Sequence, residues 1–189
     1  SMLQPSGLPD NLRNLDRTLV MGVLNVTPDS FSDGGRFNDP EVATNHALQM
    51  IKDGADIIDI GGESTRPGSE RISVQAELDR VLPVISALAD SGVAISIDTM
   101  RAEVAQAAVA AGACMVNDVS GGKSDPEILE FVASLKTPYI LMHWRGPSNI
   151  MNTLTDYVDV VADVTAEISQ QVDVAVAAGI ARERIAIDP

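Results

Sequence analysis

Six apolar runs in this chain end in a polar residue or a glycine: Asn25, Gly61, Asp98, Asn117, His143 and Asp188. An isolated Asp or Asn after a strand is more often a turn or cap residue than a ligand. Six in succession carry more weight, because strand ends converge in space. Asp98, Asn117 and Asp188 offer carboxylate and amide edges with fixed donor and acceptor geometry. Such a set suits a flat nitrogen heterocycle rich in N–H donors, held by charge-assisted hydrogen bonds. Val23, Val119 and Met142 are placed to pack on the ring faces. Asn25 has a neutral oxygen suited to one position on Mg²⁺, the rest being phosphate oxygens and water. Thr65 and Arg66, with Gly61 and Gly62, are expected to form an anion nest of backbone N–H groups.

The elements that must position these residues follow one another as βα units. The first run, from Val20, leads into Asn25 and a turn-rich loop extending through Asp33 to Gly35. An unbroken apolar run reads as a strand covered on both faces, as in a parallel sheet. Asp39-Pro40-Glu41 opens a helix with a cap and a proline at its first position, and Gly54 ends it. Strands follow at 55–61, 93–98, 113–118, 138–143 and 184–188. The helices between them span about 73–90, 103–111, 126–135 and 157–178, with a break or kink expected at Pro83. Alternation of this kind gives an α/β fold with a parallel sheet. The strand-end residues are spaced about 33 apart, so eight units need roughly 260 residues, close to a (β/α)8 barrel. The chain, at 189 residues, holds about six units of such an incomplete barrel. A doubly wound open sheet competes, but no Gly-x-Gly-x-x-Gly follows the first strand and no P-loop is present. Residues 1–16 read as a loose N-terminal arm and 17–189 as the barrel domain.

Bulk properties narrow the function. A net charge of −14 argues against non-specific nucleic-acid binding, which needs a basic face. No apolar run reaches the roughly 18 residues of a membrane span, and no basic segment with an apolar core reads as a signal peptide. The single cysteine, Cys114, lies in an apolar run with no His near it and reads as a core residue. A disulfide framework is excluded, and a reducing cytoplasmic setting is expected. Asp59 either braces the loop after the second strand or touches ligand. Glu63 reads as a brace for that loop. His143 reads equally as a site residue or a satisfied buried imidazole, and Trp144 and Arg145 as cavity-mouth or surface residues. No Ser–His–Asp system and no His/Cys metal cluster is indicated.

Five segments carry a resemblance: 21–34 (MGVLNVTPDSFSDG), 59–68 (DIGGESTRPG), 96–99 (SIDT), 116–122 (VNDVSGG) and 142–146 (MHWRG). Together they resemble dihydropteroate synthase over nearly the whole chain from about Leu19. The resemblance implies a pterin-binding barrel in folate synthesis. Its reaction joins 6-hydroxymethyl-7,8-dihydropterin diphosphate to 4-aminobenzoate, giving dihydropteroate and pyrophosphate. It further implies an SN1-like path, with Mg²⁺-bound pyrophosphate departing before the arylamine captures a pterin cation. Asn25 then matches the Mg²⁺ ligand. Asp98, Asn117 and Asp188 match pterin-binding residues, with Met142 beside them. Thr65 matches the diphosphate site. Asp33, Thr65 and Arg66 lie on the loops that enter the site, and no residue is assigned as acid or base. Sulfonamide competition and a homodimer are also implied.

One departure stands out. The family pattern continues past the Asp188-Pro189 position with two more strands, which carry a Lys, a Ser-Arg-Lys-type loop and an Arg-x-His. None of these is present here, so the expectation is a partial record of a longer chain, with open edges at the first and sixth strands. Two alternatives remain: a pterin-dependent methyltransferase domain, and a non-catalytic pterin-binding paralogue.

Overall fold

The computed structural model describes residues 5–28, 31–32, 35–36, 39–64, 68–142 and 160–188. Its main sheet has six parallel strands: β1 (Met21–Asn25), β4 (Ile57–Gly61), β5 (Ala94–Asp98), β6 (Met115–Asp118), β7 (Tyr139–Met142) and β8 (Ile185–Asp188). Their spatial order is their chain order. A doubly wound sheet reverses order at a switch point, and no reversal occurs here. The competing fold is thereby removed, and the sheet is the wall of an incomplete barrel. Among the described strands, β1 and β8 are its edges.

Five helices cover one face: α1 (Pro40–Lys52), α2 (Val74–Ala89), α3 (Ala102–Ala111), α4 (Glu127–Ser134) and α5 (Val160–Ala177). Their starts are chemically marked. Asp39 accepts the Glu41 N–H at 2.9 Å, and the Ser73 hydroxyl accepts the Ala76 N–H at 3.1 Å. Asp125 serves two helices. One carboxylate oxygen accepts the Glu127 N–H of α4, and the other accepts the Ala102 N–H of α3 at 2.8 Å. The helix-facing strand residues Leu24, Ile58, Ile60, Ile95, Ile97, Val116 and Leu141 form the main core with Val81, Ile85 and Leu88 of α2.

Three expectations need correction. Helix α2 runs unbroken through Pro83. Pro83 and Asp79, whose carbonyl loses its partner, are both exposed, so water can replace the missing bond. The loop after β1 contains a small antiparallel pair, β2 (Phe31–Ser32) with β3 (Gly35–Arg36). Strands of two residues leave no alternation to read. The described part of the arm, from residue 5, is not loose. Leu8 and Leu12 are each 3% exposed and pack on Ile57, Ala94 and Met115 at the start of the sheet. A 3-10 turn at Asp10–Leu12 shapes the arm there. Arg17 then grips Asp56 through two hydrogen bonds of 2.7 and 2.6 Å, which holds the Asp56 carboxyl down at about 2.

Truncating Leu12 to Ala tests this plug. In the full-length protein it should lower the unfolding free energy by about 2–3 kcal/mol, read by urea denaturation. A free tail would show no change.

Candidate functional site

Backbone register gathers the strand-end residues into one row. Asn25 pairs with Gly61, Gly61 with Asp98, Asp98 with Asn117, Asn117 with Ile140 and Ile140 with Ala186. Met142 and Asp188 pair two residues further along β7 and β8. Side chains alternate along each strand, so this row and the positions two residues away from it share a face. That face is opposite the helices. On it Asn25 is exposed and Val23 is 57% exposed, both open to a ligand.

Below the row lies a polar layer enclosed in protein. Asp59 is 3% exposed and Ser96 fully buried. The Asn117 amide donates from Nδ2 to Asp59 Oδ2 at 3.2 Å. Asp59 Oδ1, Asn117 Oδ1 and the Ser96 hydroxyl have no hydrogen-bond partner. Buried polar atoms are rarely left so, because each costs about 1–3 kcal/mol. Three such atoms beside one cup mark a place for a ligand or ordered water that supplies the missing bonds.

The carboxylates there resist ionisation. Burial pushes Asp59 up to about 6, with the Asn117 amide pulling it back in part. Asp98 keeps some solvent contact, yet protein hems it in. Its carboxyl is raised well above the usual range, first by burial and then by repulsion from Asp59, Asp118, Glu77 and Glu63. Gly61 makes room for it: a Cβ there would lie 3.2 Å from Asp98 Oδ2. Asp118, fully buried, ties the next loop by accepting the Ser120 N–H and hydroxyl and the Gly122 N–H, each at 2.8 Å.

Several expected residues meet as read: Asn25, Asp98 and Asn117 share one row, and the backbone at Met142 and Asp188 continues it. The side chains of Met142 and Asp188 lie outside the described residues, as do Asp33, Thr65, Arg66, His143, Trp144 and Arg145. Of the four residues expected to form an anion nest, only Gly61 and Gly62 are described. Gly61 belongs to β4 and gives its carbonyl to Val26, while Gly62 is pressed on Val81 and Glu77 of α2. Asp59 fixes Asn117 through one carboxylate oxygen and leaves the other unpartnered. Glu63 braces its loop as read, paired with Arg71 and Arg101. Cys114 is half-buried, its thiol raised by burial and directed at the Ile95 carbonyl. Ser96 was not singled out. Its signal was visible, since it alternates with Asp98 in an otherwise apolar strand. Among the described residues no group of three or more His, Cys, Asp or Glu could hold a metal, and no helix is long and apolar enough to cross a membrane.

An α/β wall with amides and carboxylates at the carboxyl ends of sequential parallel strands defines a barrel-type ligand-binding protein. Residues 21–189 match the family described as pterin binding enzyme, and the chain belongs to that family. It is 53% identical to dihydropteroate synthase from Synechocystis, over 92% of this chain and 60% of the relative. A solved Xanthomonas albilineans dihydropteroate synthase with 4-aminobenzoic acid superposes with a TM-score of 0.82 at 46% identity. That match covers 92% of this chain and 62% of the other. The Yersinia pestis dihydropteroate synthase with a sulfonamide drug complex gives 0.85 at 44% identity, covering 94% and 66%. The chain thus spans about three-fifths of the length of that Synechocystis relative.

A carboxyl whose pKa is raised on folding costs stability once ionised. That cost is absent below the unfolded value and complete above the folded one. The ligand-free full-length protein should therefore gain stability as pH falls from 7 towards 5. Asp98→Asn should be more stable than wild type at pH 7 and should flatten this trend, read by thermal melts across pH.

Proposed function

We propose that the full-length protein is a dihydropteroate synthase. It would condense 6-hydroxymethyl-7,8-dihydropterin diphosphate with 4-aminobenzoate to give 7,8-dihydropteroate and pyrophosphate. The observation that carries this reading is the set of unpartnered buried acceptors, Asp59 Oδ1 and Asn117 Oδ1, beside the Asp98 carboxyl. A pterin ring edge presents several N–H donors in a plane, the complement of such a set. Membership of the pterin binding enzyme family supports the same ligand class, and the named relatives support the reaction.

In this reading Asp98, Asn117 and Asp188 hold the ring edge-on, with Met142 on one ring face and Val23 at the open edge. Bringing the ring's donors to Asp98 favours its ionised form, so ligand and carboxylate each relieve the other's desolvation. Asn25, exposed at the end of β1, has the neutral oxygen expected of a single protein ligand to Mg²⁺, diphosphate oxygens and water completing the shell. When bound, the ion would offset charge on the departing diphosphate. Thr65 would contact the diphosphate, and Arg66 with the loop of Asp33 would border the 4-aminobenzoate pocket. The protein's own task is to place charge in advance, around a cationic pterin and a departing anion. We place the enzyme in the cytoplasm as a homodimer, with neither nucleic acid nor membrane as partner.

Incubating the full-length protein with both substrates and Mg²⁺ tests this. Pyrophosphate release that needs both substrates is expected. Pterin binding without release would favour a non-catalytic paralogue, and methyl transfer instead would favour the methyltransferase alternative. Asp98→Ala should keep the fold and weaken pterin binding by at least about 10- to 100-fold, the worth of a lost charge-assisted hydrogen bond, read by calorimetry. An unchanged dissociation constant would count against this site.

A further inference from the structure

Thr99 closes the segment 96–99 (SIDT), follows Asp98 directly and is 3% exposed. Asp98 lies on the cup face of β5, and Thr99, one residue on, turns toward the helices. Three bonds fix it there. Its N–H donates to the Asn117 carbonyl at 3.1 Å, one rung of ladder beyond the end of β5. Its hydroxyl donates to Glu77 Oε2 at 2.7 Å. The same hydroxyl oxygen accepts the Arg101 N–H at 3.2 Å. Glu77, in the first turn of α2, is 1% exposed, and its other oxygen accepts from the Arg101 guanidinium at 2.7 Å.

These bonds act on Asp98 through the backbone. The peptide joining Asp98 to Thr99 carries the N–H that Asn117 accepts, so it is held against β6. The Thr99 hydroxyl holds the far side of that peptide against α2. Backbone angles decide which rotamers a side chain can occupy. The two anchors together therefore restrict how Asp98 aims its carboxyl. The fit around it is close, since a Cβ on Gly61 would lie 3.2 Å from Asp98 Oδ2.

A hydroxyl suits this position because it donates and accepts at one atom, and both capacities are in use. Valine has nearly the same shape and neither capacity; serine has both. Neither exchange adds or removes a charge, so the charges of Glu63 and Glu77 that act on Asp98 stay where they are.

We propose that Thr99 is a positioning residue for Asp98: its hydroxyl, held between Glu77 and the Arg101 N–H, aims the Asp98 carboxyl into the cup. This role rests on the reading above of Asp98 as a pterin-holding group.

Calorimetry of 6-hydroxymethyl-7,8-dihydropterin diphosphate binding to the full-length protein tests it. Thr99→Val and Thr99→Ser are made in the wild type, and Thr99→Val also in Asp98→Ala. Thr99→Val should weaken binding about tenfold or more in the wild-type background, as expected when a charge-assisted bond is misdirected. In the Asp98→Ala background the same exchange should change binding by less than about twofold, because an effect that passes through Asp98 is not additive with its loss. Thr99→Ser, which keeps the donor and acceptor, should stay within about threefold of wild type. Equal weakening in both backgrounds would put the effect outside Asp98 and overturn the proposal. So would unchanged binding in Thr99→Val, or a loss in Thr99→Ser as large as in Thr99→Val. Should Thr99→Val fail to fold, Thr99→Ala removes the hydroxyl without setting a γ-methyl against Glu77 and is read in the same way. Should the wild type not bind the pterin, the function reading falls on its own. Crystal structures of the ligand-free full-length protein then decide the positioning role. An Asp98 carboxyl in one rotamer in the wild type, and moved or split in Thr99→Val, supports it; the same carboxyl position in both overturns it.

Discussion

Carboxyl groups enclosed by protein, with no cation paired to them among the described residues, are the constraint around which this structure is arranged. Asp59 and Asp98 face the same cup, and burial opposes the charge of each. Hydrophobic packing on the opposite face of the sheet, from Leu24 across to Leu141, provides the stability that tolerates this strain. The sheet cannot relax to relieve it, because the same strands are fixed by helices behind and by the arm below. The site is therefore rigid and polar before any ligand arrives, the condition under which fixed dipoles act most strongly on developing charge.

Around that rigid centre the loops are tied by charge rather than by apolar packing. Asp118 holds the turn after β6 through three hydrogen bonds. Glu63, Glu77, Arg71 and Arg101 hold the loop after β4. Arginines meet carboxylates within protein here, where breaking a pair costs far more than at the surface. The two systems differ in kind. The strand-end row leaves acceptors unpaired among the described residues, and the loop knot has donors and acceptors matched. The first is built to receive, the second to brace.

Much of this was legible in the sequence, for physical reasons. A strand covered on both faces must be apolar, so β4, β5 and β6 stood out, and their polar ends stood out by contrast. The convergence of successive strand ends placed Asp98 and Asn117 together. Caps and prolines located α1 and α4 because an Asp or Ser must satisfy the first free N–H groups. Pro83 misled, since sequence cannot tell whether the freed carbonyl meets water or protein. The arm misled as well. Two leucines with no period around them carry no signature of burial, and only the sheet's lower end supplies it. The Arg101–Glu77 contact was invisible because Glu77 lies in α2 and Arg101 just before α3, and only the fold sets them within hydrogen-bond reach. Ser96 was readable and passed over, because a hydroxyl in an apolar run resembles tolerated variation.

Asp125 deserves a different reading from an ordinary cap. With one oxygen on α3 and the other on α4, it makes two neighbouring helices begin from the same point. Repeat units in such a barrel are usually treated as interchangeable modules, each loop free to vary. Here two successive modules share a hinge pin. Shortening, lengthening or transplanting the stretch between β6 and α4 would shift the origin of α3 too, so these units would diversify as a couple.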